Sequence, residues 1–183
     1  MPFPANWLEE LVVEWLDLEG FTTSTGISVP AGRGGRWSPD VVGARKAEGC
    51  LVIRHCEATM WLIQGPENAK NKFREKFSSR IQEEVRGYFG AVFGEEDVQL
   101  SDYQKWVITC GVSDNVKRAL QEDIPEMRIY VLEDFIFNEV LPTINRWRSR
   151  RFPRATLPAD KWLLQMIDLF RQKQLLNLPD ATH

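Results

Sequence analysis

Cysteine is scarce and unpaired in this sequence: Cys50, Cys56 and Cys110 are the only three, odd in number and in no CxxC arrangement. That pattern signals neither a disulfide framework nor a zinc knuckle, and leaves free thiols that pack as small hydrophobes. Also missing is any apolar run near the ~20 residues needed to span a bilayer. The opening segment MPFPANWLEE has neither the charged nor the apolar region of a signal peptide. The expectation is a soluble cytoplasmic protein without a membrane partner. With 10 prolines and 12 glycines in 183 residues, the chain is neither collagen-like nor low-complexity, and 43% hydrophobic against 27% charged residues excludes disorder. Its length suits one domain, or one domain with a helical appendage.

Charge is present in both signs but segregated. Residues 1–20 carry Glu9, Glu10, Glu14, Asp17 and Glu19 and no base. Residues 143–154 carry Arg146, Arg148, Arg150, Arg151 and Arg154 and no acid, with Trp147 and Phe152 between them. Arginine grips phosphate with a two-pronged fork and releases counterions in doing so, so this cluster is a candidate nucleic-acid contact. The alternative is a solvated helix end whose cations complement the macrodipole.

Apolar spacing orders the elements. Leu8, Leu11, Val12, Trp15 and Leu18 predict an amphipathic helix stopped by Gly20. Three segments then read as an antiparallel meander: 21–30, the PDVVGAR segment, and CLVIRHCEATMWL, with the glycine loop AGRGGRWS after the first. One long helix is expected from Gly65-Pro66 onward, with Ala69, Phe73, Phe77, Ile81, Val85, Phe89 and Val92 on its buried stripe. A strand over 103–110, a helix over 114–122, a strand over 127–132 and helices over 134–151 and 160–176 complete the chain, the last opened by Asp160. Strands interleaved with helices predict a mixed sheet in an α/β fold, its central strands buried on both faces.

Two acids stand out in the meander. Opposed residues of an antiparallel hairpin have positions of constant sum, and a turn at Glu48-Gly49 makes Asp40 and Glu57 cross-strand neighbours. Their Cβ atoms would lie ~5 Å apart, which is unfavourable for like charges unless a cation sits between them. A hard divalent ion such as magnesium fills that role, and a wet strand end without metal is the alternative.

With helix 1 ending LEGF and Glu9 upstream, a strand, a glycine/arginine loop, Pro39-Asp40-Val41-Val42, a turn and an apolar strand reaching Glu57, residues 5 to about 110 resemble the PD-(D/E)XK nucleases. The first helix resembles that of archaeal Holliday-junction resolvases, whose glutamate precedes the glycine by the same distance as Glu9 precedes Gly20. The resemblance implies a restriction-endonuclease-like three-layer α/β/α fold: a nuclease-like α/β core over 1–135, and a C-terminal helical extension over 136–183 packed on it. It also implies that Asp40 and Glu57 are the carboxylates for Mg2+ or Mn2+, joined by Glu9, with Glu10 and Glu14 as lesser choices.

The departure lies at Glu57-Ala58-Thr59, where the family carries lysine in the place of Thr59. Some members carry that lysine on the following helix, so Lys72 and Lys76 are candidates, with Lys76 preferred; a solvated helix edge is the alternative. His55 shares a strand face with Glu57 and is either its partner or a core histidine. Arg54, on the other face of an apolar strand, needs an acid or a phosphate. Arg33 and Arg36 precede Asp40 in a loop that lacks the GxxxxGK[ST] pattern, and they are candidates for the mouth of the site.

The leading expectation is a magnesium-dependent endonuclease-like hydrolase acting on DNA phosphodiesters. Asp40, Glu57, Glu9 and Lys76 would be its catalytic groups, and Arg33, Arg36, Arg146, Arg148, Arg150 and Arg151 its nucleic-acid contacts. The alternative keeps the fold as a catalytically degenerate nucleic-acid-binding or protein-interaction module. A homodimer formed through an aromatic surface, with seven tryptophans available, is a third possibility.

Overall fold

The computed structural model describes residues 6–30, 36–47, 49–94, 101–150 and 156–176. Helix α1 (Trp7–Leu18) is launched by Asn6, whose side-chain oxygen accepts from the N–H groups of Leu8 and Glu9. The Asn6 amide in turn donates to Glu9 at 2.7 Å, a reciprocal arrangement that satisfies the open first turn. Leu8, Leu11, Val12, Trp15 and Leu16 are buried along one stripe of α1.

Five strands form the main sheet in the order β1-β4-β5-β6-β7. They are β1 (Thr22–Ser24), β4 (Val41–Ala47), β5 (Cys50–Thr59), β6 (Asp102–Thr109) and β7 (Arg128–Val131). The first three are antiparallel neighbours, whereas β6 and β7 run parallel to β5. The expected α/β class with a mixed sheet is therefore the observed one. The first strand of the meander is shorter than its β-forming composition suggests. Gly26, at φ +85°, turns the chain out of the sheet after Ser24, and Val29–Pro30 (β2) pairs instead with Arg36–Trp37 (β3) in a separate hairpin.

Helices cover both faces of the sheet. On one side lie α2 (Pro66–Lys76), α3 (Ser79–Phe93) and α4 (Asp114–Asp123). The single long helix expected here breaks at Phe77-Ser78, where Ser78 is extended and the Gln82 amide caps the Phe77 carbonyl at 2.7 Å. The break lets α2 pack beside α4 over Val107 and Ile129, while α3 packs over Val42, Ala44 and Ile53. One stripe thus serves two separate patches, and Val92, expected to belong to it, is exposed.

The opposite face carries α1, α5 (Leu132–Phe135), α6 (Leu141–Ser149) and α7 (Trp162–Gln172). A five-residue π-helical turn, Ile136–Val140, joins α5 to α6 just before Pro142. Proline has no N–H to offer and crowds the carbonyl one turn back, and a widened turn relieves both. Trp15 is the centre of this layer. Its ring meets Trp106 at 5.3 Å and Phe135 at 5.0 Å, and its indole N–H donates to Thr143 at 3.1 Å. The boundary expected between 135 and 136 falls inside this helical stretch, and Ile144, Leu163 and Leu164 beyond it share one apolar cluster with α1. No helix among the described residues is long and apolar enough to cross a membrane.

Helix α7 does not begin at Asp160 as expected. Its flanking residue Lys161 supplies no side-chain cap. Instead the buried Glu14 of α1 accepts from the N–H groups of Leu163 at 3.3 Å and Leu164 at 2.9 Å. A carboxylate from another helix therefore fills the capping role and ties α7 to α1. Glu14→Ala strips both buried donors of their acceptor and is expected to cost about 1–3 kcal/mol in urea unfolding. Glu14→Gln, which keeps an acceptor, should cost less, and an alanine variant as stable as wild type would contradict the capping role.

Candidate active site

The β4–β5 hairpin sets the geometry. Val41 opposes Cys56 and Val42 opposes His55, the register expected from the position of the turn. Asp40 occupies the bend just before β4, where its Oδ2 accepts from the N–H of Ala58 at 2.9 Å. Glu57 points to the α2 side of β5 together with His55, and both side chains are buried.

Lys76, at the last position of α2, reaches back to this pair. Its Nζ lies 2.6 Å from Glu57 Oε2 and 3.4 Å from Asp40 Oδ1, and it also donates to the Ser38 carbonyl at 3.4 Å. Phe73 and Phe77, buried on the same stripe, anchor the end of α2 over the sheet and fix where the ammonium falls. Of the two lysines considered, Lys76 is thus the one that meets the carboxylates. Lys72 instead lies 5.6 Å from the ring centre of Phe73.

The second oxygen of Glu57 is held by a different chain. His55 Nε2 lies 2.9 Å from Glu57 Oε1, and His55 Nδ1 lies 2.8 Å from the Tyr103 hydroxyl. A ring protonated on Nε2 satisfies both bonds, donating to Glu57 and accepting from Tyr103. Phe77 packs edge-on against the imidazole at 4.7 Å. Sequence reasoning found His55 but missed Tyr103, because its strand joins β5 through a long crossover and only an antiparallel hairpin betrays its register in the sequence.

Electrostatics separate the two carboxyls. Burial and the neighbouring charge of Glu57 push Asp40 up to about 7, against the pull of Lys76 and the Ala58 N–H. Burial also opposes ionisation of Glu57, but the His55 hydrogen bond and the Lys76 ammonium outweigh it and hold that carboxyl below its usual range. Lys76 loses hydration too, yet the two carboxylates raise its pKa. The site is an acid pair, Glu57 buried and Asp40 half-buried, in which Asp40 keeps its proton near neutrality, a division of roles found where groups are tuned for chemistry.

Glu9 is buried in the first turn of α1, on the sheet face opposite Glu57. No group of three or more His, Cys, Asp or Glu side chains placed to hold a metal ion occurs among the described residues. Arg33 and Arg151 lie outside the described residues, and Arg36 pairs through its backbone with Pro30 in the small hairpin. Arg146 pairs with Glu19, and Arg148 makes a two-pronged pair with Asp168, one bond at 2.9 Å. Arg150 is exposed at the end of α6. Arg54 has found its acid in Glu19 at 3.1 Å, with Gln104 accepting from its Nε at 3.0 Å. Neither protein-family models nor curated proteins give a match to this chain.

Asp40 supplies a stability test. Its folded pKa exceeds the ordinary aspartate value near 3.9, so the folded state binds the extra proton between about pH 4 and 7. Stability from this group is therefore full below pH 4 and falls as pH rises through 7, by up to about 4 kcal/mol. Asp40→Asn removes that slope. In urea unfolding the variant is expected to outlast wild type at pH 8, with the advantage vanishing near pH 4. Parallel stability curves would contradict a buried proton on Asp40.

Proposed function

We propose that the protein is a divalent-metal-dependent phosphodiesterase acting on DNA, of the PD-(D/E)XK type, in which Lys76 of α2 stands in for the lysine replaced by Thr59. The observation that carries this reading is the contact of one ammonium with both Asp40 and Glu57. A lysine placed only to solvate a helix edge has no reason to be buried against two acids. The order of elements also supports it: an antiparallel hairpin bearing the acids, then a helical crossover to a parallel strand. The acids sit toward the carboxyl end of β5, the edge at which open α/β sheets present their sites.

The donor set suits magnesium. Two carboxylates converge on one cationic atom, and magnesium is commonly held by one or two carboxylates with water and phosphate oxygens completing its shell. Asp40 and Glu57 would hold the ion, which when bound acidifies an attacking water and polarises the phosphate. The chain's own residues prepare that site. The Ala58 N–H fixes one oxygen of Asp40, and the Tyr103–His55 chain fixes the rotamer of Glu57. Lys76 offsets the charge of the acid pair and offers the positive group that stabilises a phosphate gaining negative charge.

The test is cleavage of branched, nicked, single-stranded and duplex DNA with magnesium or manganese. Wild type is expected to cut at least one substrate, with Asp40→Ala and Glu57→Ala inactive. Lys76→Ala should be slower by about 10²–10³, the usual loss when one electrostatic donor is removed. Thr59→Lys, which points to the same side of β5 as Glu57, should partly restore Lys76→Ala. Binding of DNA without cutting of any substrate by either metal would replace the enzyme with a degenerate binding module.

A further inference from the structure

On the α1 side of the sheet, away from Glu57, lies a cavity of about 630 Å³ between the end of α1, strands β4 and β5, and α6. Four guanidinium groups line it, those of Arg45, Arg54, Arg146 and Arg150, against two carboxylates, Glu19 and Glu139. Among the described lining residues the surplus is two positive charges, and nothing in the proposed phosphodiester chemistry uses them.

Two of these arginines are mounted rather than loosely solvated. Arg54 sits over the rings of Trp15, Phe21 and Trp106 at 5.0, 4.7 and 5.0 Å, and Arg45 sits over Phe21 at 4.6 Å. Phe21 can come this close because residue 43 is glycine: a Cβ there would meet Leu16 at 3.1 Å and Phe21 at 3.2 Å. Aromatic faces hold guanidinium planes still while leaving their edges open for hydrogen bonds. Glu19 organises the set: its side chain takes Arg54, Arg146 and Thr143, and its backbone carbonyl accepts from Arg45 Nη1 at 3.0 Å. Those contacts use only part of the donor capacity, since each guanidinium carries five N–H groups.

Two donors show what is missing. Arg45 Nε is buried with no hydrogen-bond partner among the described residues. Arg150 makes no ion pair among the described residues either, although it faces the cavity. Arg45 Nε is shut away from the cavity, so an occupant would meet the outer nitrogens of Arg45 and the unpaired guanidinium of Arg150, which is a ready partner for an anion. An anion of nearly double charge, small enough for a half-open cavity of this volume, matches that lining. Trp147 lines the same cavity and offers an aromatic wall to a planar group.

We propose that this cavity binds a phosphate monoester of nucleotide size, a nucleoside monophosphate, with the phosphate on Arg45, Arg54 and Arg150 and the base against Trp147. The dianion matches the two surplus charges, and arginine forks match its oxygens. The site is independent of Asp40 and Glu57, so the experiment is run without divalent metal.

Isothermal titration of the full chain in EDTA, with AMP, inorganic phosphate and a short oligonucleotide lacking a terminal phosphate as probes, tests it. AMP is expected to bind at one site, more tightly than inorganic phosphate, and the oligonucleotide should not displace it. Arg150→Ala, at an exposed position, and Arg45→Gln should each weaken AMP by about tenfold or more. Asp40→Ala should leave it unchanged. Thermal melting without ligand establishes that each variant is folded, and Arg150→Ala carries the test if Arg45→Gln is not. No AMP binding up to millimolar concentration would overturn the proposal, as would binding indifferent to Arg150→Ala or binding no tighter than inorganic phosphate. Displacement of AMP by the unphosphorylated oligonucleotide would instead assign the arginines to a nucleic-acid backbone and equally overturn it.

Discussion

Two carboxylates brought close together, Glu57 buried and Asp40 half-buried, need a positive charge between them, and the register of β4 and β5 sets Asp40 beside Glu57. Every neighbouring feature answers that constraint. At the end of α2 Lys76 reaches both acids, and the buried Phe73 and Phe77 hold that end against the sheet. Asp40 keeps a proton near neutrality because one ammonium does not fully offset two buried charges. A divalent cation would remove that remaining conflict, which is the physical basis for reading the pair as a metal site.

Strand β5 distributes its charges by the period of two. Arg54 faces α1 and pairs with Glu19, whereas His55 and Glu57, on either side of Cys56, serve the α2 side. Buried ionic groups in a central strand seldom add stability over apolar residues of the same size, since desolvation offsets their attraction. Strand β5 nonetheless carries three such side chains, each held by a partner from another element or from its own strand. One face carries an acid pair with a lysine, the other a cage of arginines over aromatic rings.

Local relations were legible in the sequence and distant ones were not. The opposition of Asp40 and Glu57 could be read because a short turn fixes hairpin register by arithmetic. Lys72 and Lys76 could be named as candidates because, four apart, they share one helix face beside Phe73 and Phe77, but only the fold separates them. By contrast, the break at Phe77-Ser78 leaves the apolar stripe unbroken in sequence and depends on two different surfaces lying beneath it. The exit of the first strand at Gly26 sits in a run of β-formers that carries the opposite signal. Glu14 capping α7, Tyr103 holding His55 and Glu19 gathering Arg54 and Arg146 all join residues far apart in the chain. The arginine cluster of 143–154 was visible as charge, but only the fold reveals that Arg146 and Arg148 are engaged by acids.

The central claim is that Asp40 and Glu57 form one cation site completed by Lys76. Crystals grown with manganese and read by anomalous scattering test it most directly. The account predicts a peak within about 2.0–2.6 Å of an oxygen of each carboxylate, with Lys76 still beside them. A map at millimolar manganese with no peak between Asp40 and Glu57 would contradict it.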